Sequence, residues 1–195
     1  VGALSNVDFG QTERLVRINS FDTGDLAHRD LDALINSKVL PDGIVIPKTE
    51  SANDVRIVSE QLDSLGDVAN DVRIVGMIES AQAMLRMDEI LSSSPHRLDC
   101  VIFGADDYAS DVGAIRTKTG EEMEFARNYL LLQTAAKKIS AIDMVQIDYR
   151  DQEQLSKESV CSFQQGFSGK QVIHPLQIDT VQKAYSPSLD TITNA

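Results

Sequence analysis

The sequence contains no tryptophan, only two cysteines and no run of eighteen apolar residues. A transmembrane helix needs about 20 mostly apolar residues, so none is expected. Cys100 and Cys161 lack the CxxC spacing of a metal or redox site, and their apolar neighbours predict buried, inert thiols. The opening VGALSNVDFG has neither the basic start nor the apolar core of a signal peptide. These absences together predict a soluble, intracellular protein.

Positive charge is also scarce, because 18 lysines and arginines stand against 30 aspartates and glutamates and the formal net charge is -12. Phosphate binding depends on clustered lysine and arginine, so this balance argues against a nucleic-acid surface. The same negative field would repel anionic membranes. We therefore expect neither a nucleic acid nor a membrane among the partners.

Short apolar segments alternate with longer segments of helical period, which is typical of repeated strand–helix units in a parallel sheet. Several strand segments are apolar throughout, as expected for strands covered on both faces. Six strands are predicted, over residues 15–18, 43–46, 72–78, 100–103, 141–145 and 170–173.

Capping residues and apolar spacing predict the helices between these strands. Ser51 with Asp54 forms a capping-box-like start, and Ser80 caps the next helix. Pro175 suits the first turn of another, and a final helix is predicted to begin near Ser188. Apolar residues expected to face inward after Ser80 are Ala81, Met84, Leu85 and Leu91. The apolar stripe of a longer helix over 121–139 consists of Phe125, Tyr129, Leu132, Ala136 and Ile139.

Six strands in 195 residues fall short of the eight strands and roughly 250 residues of a closed TIM (β/α)₈ barrel. The chain therefore forms either a smaller open α/β sheet or a barrel without two of its strands. The sequence contains neither a GxGxxG nor a GxxxxGK[ST] turn, either of which would indicate a nucleotide-binding open sheet. This pattern favours the incomplete barrel.

Polar side chains follow the apolar strands. Glu79 closes RIVGMIE and Asp107 follows CVIFGAD, so their carboxylates converge if the strands are neighbours about 4.8 Å apart. Magnesium is commonly held by one or two carboxylates and keeps positions for substrate oxygens. Arg17, at the end of LVRIN, suits neutralisation of charge on an oxyanion. The alternatives are carboxylates that cap the following helices and an arginine that pairs with a rim carboxylate.

Other polar residues near strand ends have simpler interpretations. Lys48 in PKTE has no obvious apolar pocket to lower its pKa, so we expect a solvated rim lysine and not a Schiff-base amine. His174 precedes a proline that opens a helix, so we expect an N-terminal cap or a substrate contact and not a catalytic base, and the cap is favoured. Residues 108–111 are expected in a loop, which either borders the pocket or has no role there.

Six segments, in order, resemble the citrate lyase beta-subunit-like proteins: VRINS, IVIPKTES, GMIESAQAML, VIFGADDYASDVGA, AIDMVQIDYRD and GFSGKQVIHPLQI. The resemblance implies a magnesium-dependent carbon–carbon lyase for a 3-hydroxyacyl-CoA such as citramalyl-CoA, which gives pyruvate and acetyl-CoA and can run as a condensation. The partners implied are acyl-CoA and 2-oxo acids. Alternatives are a citrate lyase beta subunit or aldolase that uses a carrier-bound or free acid, and a barrel fragment or assembly subunit without catalysis.

The resemblance also implies site residues. Glu79 and Asp107 match the two Mg²⁺ ligands, and Arg17 matches the catalytic arginine that binds the oxo-acid oxygen. The substrate carboxylate is expected on the backbone amides of the loop Gly104, Ala105 and Asp106.

The family pattern extends beyond this sequence. No counterpart is present for the first two barrel strands, or for a carboxy-terminal region from which a neighbouring subunit supplies an acid or base in several members. Residues 1–195 are therefore expected to be a single barrel domain with strands three to eight. A homotrimer is also implied, located in the mitochondrial matrix of a eukaryote or otherwise in the cytoplasm.

Overall fold

A computed structural model describes residues 2–37 and 39–186 of the chain. The strands in these residues are β1 (Leu15–Arg17), β2 (Gly43–Ile46), β3 (Arg73–Ile78), β4 (Leu98–Phe103), β5 (Ser140–Asp143) and β6 (Gly169–Lys170). The helices are α1 (Gly2–Asn6), α2 (Leu26–Ile35), α3 (Ala52–Asp63), α4 (Ala81–Leu85), α5 (Met87–Leu91), α6 (Ala105–Val112), α7 (Glu124–Lys137), α8 (Gln152–Gln165) and α9 (Ile178–Tyr185). Short 3₁₀ turns cover Gly66–Ala69, Glu121–Met123 and Pro175–Gln177.

The six strands lie in chain order in one sheet, and each neighbouring pair is parallel. This arrangement confirms the six predicted strands and the α/β class. Because the strands are parallel, all six carboxyl ends lie at the same end of the sheet. In the described part of the chain β1 and β6 are the two edges, so the sheet remains open between them.

Three strands end earlier than predicted, β1 by one residue at Arg17, β5 by two at Asp143 and β6 by three at Lys170. The amide of Gln171 still donates to the carbonyl oxygen of Asp143 at 3.0 Å, but the carbonyl groups of Met144 and Gln146 are held by side chains. Nζ of Lys170 donates to the carbonyl oxygen of Met144 at 2.8 Å. Nε2 of Gln177 donates to the carbonyl oxygen of Gln146 at 2.9 Å. Strand propensity cannot reveal this exchange, because it depends on residues distant in sequence.

The two faces of the sheet bury different side chains. One face packs against the helices and supplies the main core, which includes Ile44, Ile46, Ile74, Ile78, Val101 and Phe103. The opposite face carries a smaller cluster of Val45, Val75 and Met77, against which Cys100 and Ile102 pack. Because side chains alternate along a strand, Glu79 follows Val75 and Met77 on this second face.

The capping residues predicted for α3 and α4 are confirmed. Ser51 and Asp54 form a capping box, in which Oδ2 of Asp54 accepts a hydrogen bond from the amide of Ser51 at 2.9 Å. Oγ of Ser80 accepts a hydrogen bond from the amide of Ala83 at 3.0 Å. Such caps satisfy amide groups that the first helical turn leaves without partners.

The apolar stripe predicted for the helix over 121–139 is wrong, because Phe125 is 80% exposed and Leu132 is 66% exposed. Helix α7 turns its adjacent face inward, where Arg127 reaches Asp143 on β5. Spacing identifies a helix but does not tell which of two stripes meets the sheet. The residues that α7 buries are Ala126, Arg127, Leu130 and Thr134.

Other local predictions also fail. The helix predicted after Ser80 divides into α4 and α5 at Arg86, and Leu85 is exposed. Residues 108–111, predicted as a loop, belong to α6. Cys161 is exposed, whereas Cys100 is partly buried and burial raises the pKa of its thiol to about 12. The helix predicted near Ser188 lies outside the described residues.

The described residues include no helix both long and apolar enough to span a membrane.

A group of buried charges joins β5 and β6 to the helices. Nε and Nη2 of Arg127 donate to the two carboxylate oxygens of Asp143 at 2.8 and 2.9 Å. Nζ of Lys170 lies 3.6 Å from Oδ2 of Asp143 and 3.2 Å from Oε2 of Glu158. Burial raises the pKa of Asp143, but the hydrogen bond from Arg127 and the charge of Lys170 outweigh it and the net shift is downward.

Phe103→Ala should lower the free energy of unfolding by about 3–5 kcal/mol, because a fully buried ring is replaced by a cavity. Phe125→Ala removes an exposed ring and should change the free energy of unfolding by less than about 0.5 kcal/mol. Urea denaturation of both variants measures the difference. A large loss for Phe125→Ala would contradict the orientation of α7.

Asp143→Asn should lower the free energy of unfolding by about 3 kcal/mol at pH 7, because it leaves buried cations without their carboxylate. The folded-state pKa of Asp143 is lowered, so its contribution is present above the ordinary pKa of 3.8 and is lost as the pH falls below that value. Urea denaturation between pH 7 and pH 3 should show the difference from wild type shrinking in acid. The exposed Asp71→Asn is the control, and a difference independent of pH would contradict the charge assignment.

Candidate functional site

A pocket of about 400 Å³ lies at the carboxyl ends of the strands. It brings together every site residue predicted from the sequence. Its lining also includes residues at the ends of β5 and β6 that were not predicted. The full lining is Arg17, Met77, Glu79, Gly104, Ala105, Asp106, Asp107, Val145, Gln171, Val172 and Ile173.

Glu79 is the most deeply buried acid of this pocket, at 7% exposure. It follows the last residue of β3, and its Oε2 accepts a hydrogen bond from the amide of Lys48 at 2.7 Å. Ser80, the next residue, caps α4, so the cap and the pocket carboxylate are adjacent but separate. The cap of α4 is therefore Ser80 and not Glu79, which was the alternative interpretation of this carboxylate.

Lys48 contributes to the pocket through its backbone and not through its amine. Its side chain is largely exposed, with Nζ 3.9 Å from Oδ2 of Asp22, as predicted for a rim lysine. Its backbone has a φ of 45°, which is uncommon for a residue other than glycine. This conformation accompanies the hydrogen bond from its amide to Glu79. The hydrogen bond to Glu79 could not be predicted from the sequence, because a backbone amide does not depend on the type of side chain.

The charge environment of Glu79 favours a cation. Burial is the largest effect and raises the pKa of its carboxyl group, while the hydrogen bond from the Lys48 amide lowers it. The neighbouring charge of Asp107 raises the pKa further, and Arg17 lowers it. Two acidic groups that repel each other in one pocket would be stabilised by a bound positive ion.

Asp106 and Asp107 are exposed residues in the first turn of α6. Amide groups in the first turn of a helix lack intrahelical acceptors, so this end of α6 is suited to an anionic ligand. Gly104 precedes the helix and packs on Glu79, where a Cβ would lie 2.8 Å from Cδ of the glutamate. The glycine therefore allows close approach between the helix start and the buried carboxylate.

Arg17 ends β1 and is exposed at the pocket. Its register partner in β2 is Val45, so it lies on the same face of the sheet as the Val45, Val75 and Met77 cluster. From this face its guanidinium can approach a ligand held near Glu79.

His174 acts as the predicted N-terminal cap. Its Nδ1 accepts a hydrogen bond from the amide of Leu176 at 3.2 Å. The imidazole also stacks on the ring of Tyr149, with centroids 4.2 Å apart. His174 is not among the residues that line the pocket.

The apolar wall of the pocket was not predicted. Val145, Val172 and Ile173 lie just beyond β5 and β6, and Met77 lies at the end of β3. Their positions near strand ends could have indicated them, but all four lie within the predicted strands 72–78, 141–145 and 170–173. The pocket has three carboxylates, one arginine and this wall, so with a cation bound it suits a small anion with a short apolar group.

Within the described residues no group of three or more histidine, cysteine, aspartate or glutamate side chains could hold a metal ion. Glu79 and Asp107 nevertheless suit Mg²⁺, which is usually bound by one or two carboxylates together with waters and substrate oxygens.

Residues 1–175 match the sequence model of the HpcH/HpaI aldolase/citrate lyase family. The chain belongs to this family. The resemblance to citrate lyase beta-subunit-like proteins is thereby confirmed.

Two curated family members are similar over almost the whole chain. The mitochondrial citramalyl-CoA lyase of Homo sapiens is 34% identical over 98% of this chain and 59% of its own length. The citrate lyase subunit beta of Leuconostoc mesenteroides subsp. cremoris is 32% identical over 99% of this chain and 64% of its own length. The chain thus spans less than two thirds of each relative.

Solved structures of family members share the fold. RipC from Yersinia pestis has a TM-score of 0.81 and 38% identity, over 91% of this chain and 79% of that chain. CitE from Mycobacterium tuberculosis, in complex with magnesium, acetoacetate and coenzyme A, has a TM-score of 0.73 and 29% identity. That match covers 90% of this chain and 62% of CitE.

Gly104→Ala should raise the dissociation constant for Mg²⁺ about tenfold, because the new Cβ displaces the carboxylate of Glu79. The backbone of Gly104, with φ -90° and ψ 81°, has a negative φ, so the folded state should tolerate alanine. Calorimetry measures the affinity and urea denaturation checks the fold. Gly2→Ala, where an added Cβ meets no atom within 4 Å, is the control. Unchanged Mg²⁺ affinity in Gly104→Ala would contradict this packing.

Proposed function

We propose that this chain is the metal- and oxo-acid-binding part of a magnesium-dependent carbon–carbon lyase. The proposed substrate is a 3-hydroxyacyl-CoA such as citramalyl-CoA, which is cleaved to pyruvate and acetyl-CoA, and the reverse reaction is a Claisen-type condensation. The observation that carries the proposal is the convergence of Glu79, Asp107 and Arg17 on one pocket.

The relatives support this chemistry. One is named a citramalyl-CoA lyase and another a citrate lyase beta subunit. CitE of Mycobacterium tuberculosis has been solved with magnesium and pyruvate, and with magnesium, acetoacetate and coenzyme A. Because the chain spans 59% of the human relative, the proposal concerns the whole protein that contains it.

Glu79 and Asp107 are the proposed ligands of Mg²⁺. When bound, the ion supplies Lewis-acid polarisation of the 2-oxo group and positions for substrate oxygens. The buried carboxylate of Glu79 is oriented by the Lys48 amide, whereas Asp107 lies on the exposed first turn of α6. One ligand is therefore fixed by the sheet and the other by a helix.

The remaining pocket residues bind and orient the oxo acid. The amides of Ala105 and Asp106 are proposed to hold its carboxylate at the start of α6, whereas the amide of Gly104 already donates to the carbonyl oxygen of Ile78 at 3.0 Å. Arg17 neutralises the charge that develops on oxygen. The wall that includes Met77 suits the methyl group of pyruvate.

Cleavage breaks the bond between the hydroxyl-bearing carbon and the acyl α-carbon. The hydroxyl group loses its proton and becomes the oxo group of pyruvate, and the acetyl-CoA enolate takes up a proton. We assign that acid–base role to a residue outside this chain, supplied by a neighbouring subunit of a homotrimer. The site in this chain then supplies binding and charge stabilisation.

We further propose that the sheet represents strands three to eight of a TIM (β/α)₈ barrel, within a single domain. The parallel strands in chain order support this assignment. The open edges β1 and β6 also support it, because unpaired edges need covering by further strands. In this arrangement the second face of the sheet would line the interior of the barrel.

A carrier-bound substrate is the second candidate. The similarity to the Leuconostoc citrate lyase subunit beta, at 32% identity over 99% of the chain, favours it specifically. The oxo-acid pocket would serve either reaction, so the two differ in the thioester and not in the residues described above. Turnover of coenzyme A and carrier-bound thioesters by the full-length protein separates them.

Glu79→Gln and Asp107→Asn in the full-length protein should each lower the rate of citramalyl-CoA cleavage by at least about 100-fold at saturating Mg²⁺, because each removes a charged metal ligand. Release of pyruvate measures the rate. Glu89→Gln, an exposed glutamate on α5, is the matched control and should cleave at the wild-type rate. Undiminished turnover by either site variant would overturn the assignment of that ligand.

A further inference from the structure

Arg116 lies outside the pocket but contacts both sides of it. It belongs to the loop between α6 and α7. Its Nε lies 3.3 Å from Oδ1 of Asp106, and its Nη2 donates to the carbonyl oxygen of Val145 at 3.2 Å. Both Asp106 and Val145 line the pocket, whereas Arg116 does not.

The two contacts join different strands of the sheet. Asp106 lies in the first turn of α6, which follows β4, and Val145 lies just beyond β5. These strands are paired only as far as Ile102 and Ile142. Beyond that pair, the guanidinium of Arg116 bridges the two walls.

We propose that Arg116 is a positioning residue that sets the separation between the start of α6 and Val145, and thereby the fit of the oxo acid. This inference rests on the proposed function, because it assumes that the amides of Ala105 and Asp106 hold the carboxylate of that acid. The guanidinium acts through these two walls and has no contact with the reacting atoms.

Glu122, which follows the same loop, holds the guanidinium of Arg116 on the side away from the pocket walls. Nη1 of Arg116 lies 3.6 Å from Oε1 of Glu122, and that oxygen also accepts a hydrogen bond from the amide of Thr117 at 2.9 Å. Gly120 has a φ of 69°, and a Cβ there would lie 2.8 Å from Cε of Met144. The glycine thus allows the loop to pack against the end of β5.

The chemistry of the side chain matters as much as its charge. A guanidinium presents several donors in a rigid plane, so it can contact Asp106, Val145 and Glu122 together, which a lysine ammonium cannot do with the same geometry. The side chain of Arg116 is only 18% exposed. In the described residues its buried Nε has ion-pair distance to Asp106 but no hydrogen bond. The side chain of Asp106 is 51% exposed, so the bridge is buried on the side of Arg116 and open to solvent on the side of Asp106.

The test uses the full-length protein and two calorimetric titrations, one with Mg²⁺ alone and one with pyruvate at saturating Mg²⁺. In Arg116→Gln the dissociation constant for pyruvate should rise about tenfold. The constant for Mg²⁺ alone should rise less than the constant for pyruvate, because only one of the two proposed ligands, Asp107, lies on α6, whereas Glu79 is held by Lys48 and Gly104. Arg116→Lys should fall between wild type and Arg116→Gln.

A double-mutant cycle tests whether Arg116 acts through Asp106. The loss of pyruvate affinity caused by Arg116→Gln should be smaller in the Asp106→Asn background, because one partner is already altered. Arg56→Gln, an exposed arginine on α3, controls for loss of one positive charge and should bind pyruvate as wild type does.

Two results would overturn the role of Arg116 without affecting the proposed function. The first is unchanged pyruvate affinity in Arg116→Gln. The second is an equal loss of pyruvate and Mg²⁺ affinity together with a lower free energy of unfolding. The second result would mean a general loss of structure and not a change in the separation of the walls. If wild type itself fails to bind pyruvate with Mg²⁺, the proposed function fails with it. Pyruvate binding by wild type therefore tests the proposed function, and pyruvate binding by the variants tests the role of Arg116.

Discussion

The burial of one carboxylate at the end of a parallel strand is the constraint on which the site depends. Glu79 continues the series of Val75 and Met77 on the second face of β3, and it is held by the Lys48 amide and by close packing on Gly104. Removing a carboxylate from water is unfavourable unless a hydrogen bond or a cation compensates, and here the acidic neighbour Asp107 adds repulsion. The geometry of the pocket and the metal binding that we propose for it therefore have the same origin.

The other half of the pocket is held by charges outside it. Lys170 binds the carbonyl oxygen of Met144, and Arg116 binds that of Val145, so two neighbouring carbonyl groups beyond β5 are fixed by cations in place of a strand ladder. Lys170 also approaches Asp143, which pairs with Arg127 on α7. Helix positions and pocket shape are coupled through these side chains.

Much of the fold could be predicted from the sequence, as could several residues that line the candidate pocket. Apolar strands covered on both faces, the capping box at Ser51 and the polar residues after β3 and β4 are local patterns with direct physical causes. The family motifs named Glu79 and Asp107 as partners, and the structure places both at one pocket. The apolar wall was missed because β5 and β6 end earlier than their composition suggests.

The sequence by itself determined the order of strands and helices and which acidic and basic groups follow each strand, because these depend on neighbours along the chain. Only the tertiary structure decided which face of α7 is buried, that the amide of Lys48 reaches Glu79, and that Arg116 bridges Asp106 and Val145. Each of these depends on contacts between residues far apart in sequence or on a choice between two stripes of equal spacing. Residue type and spacing carry no information about such choices until the sheet brings the elements together.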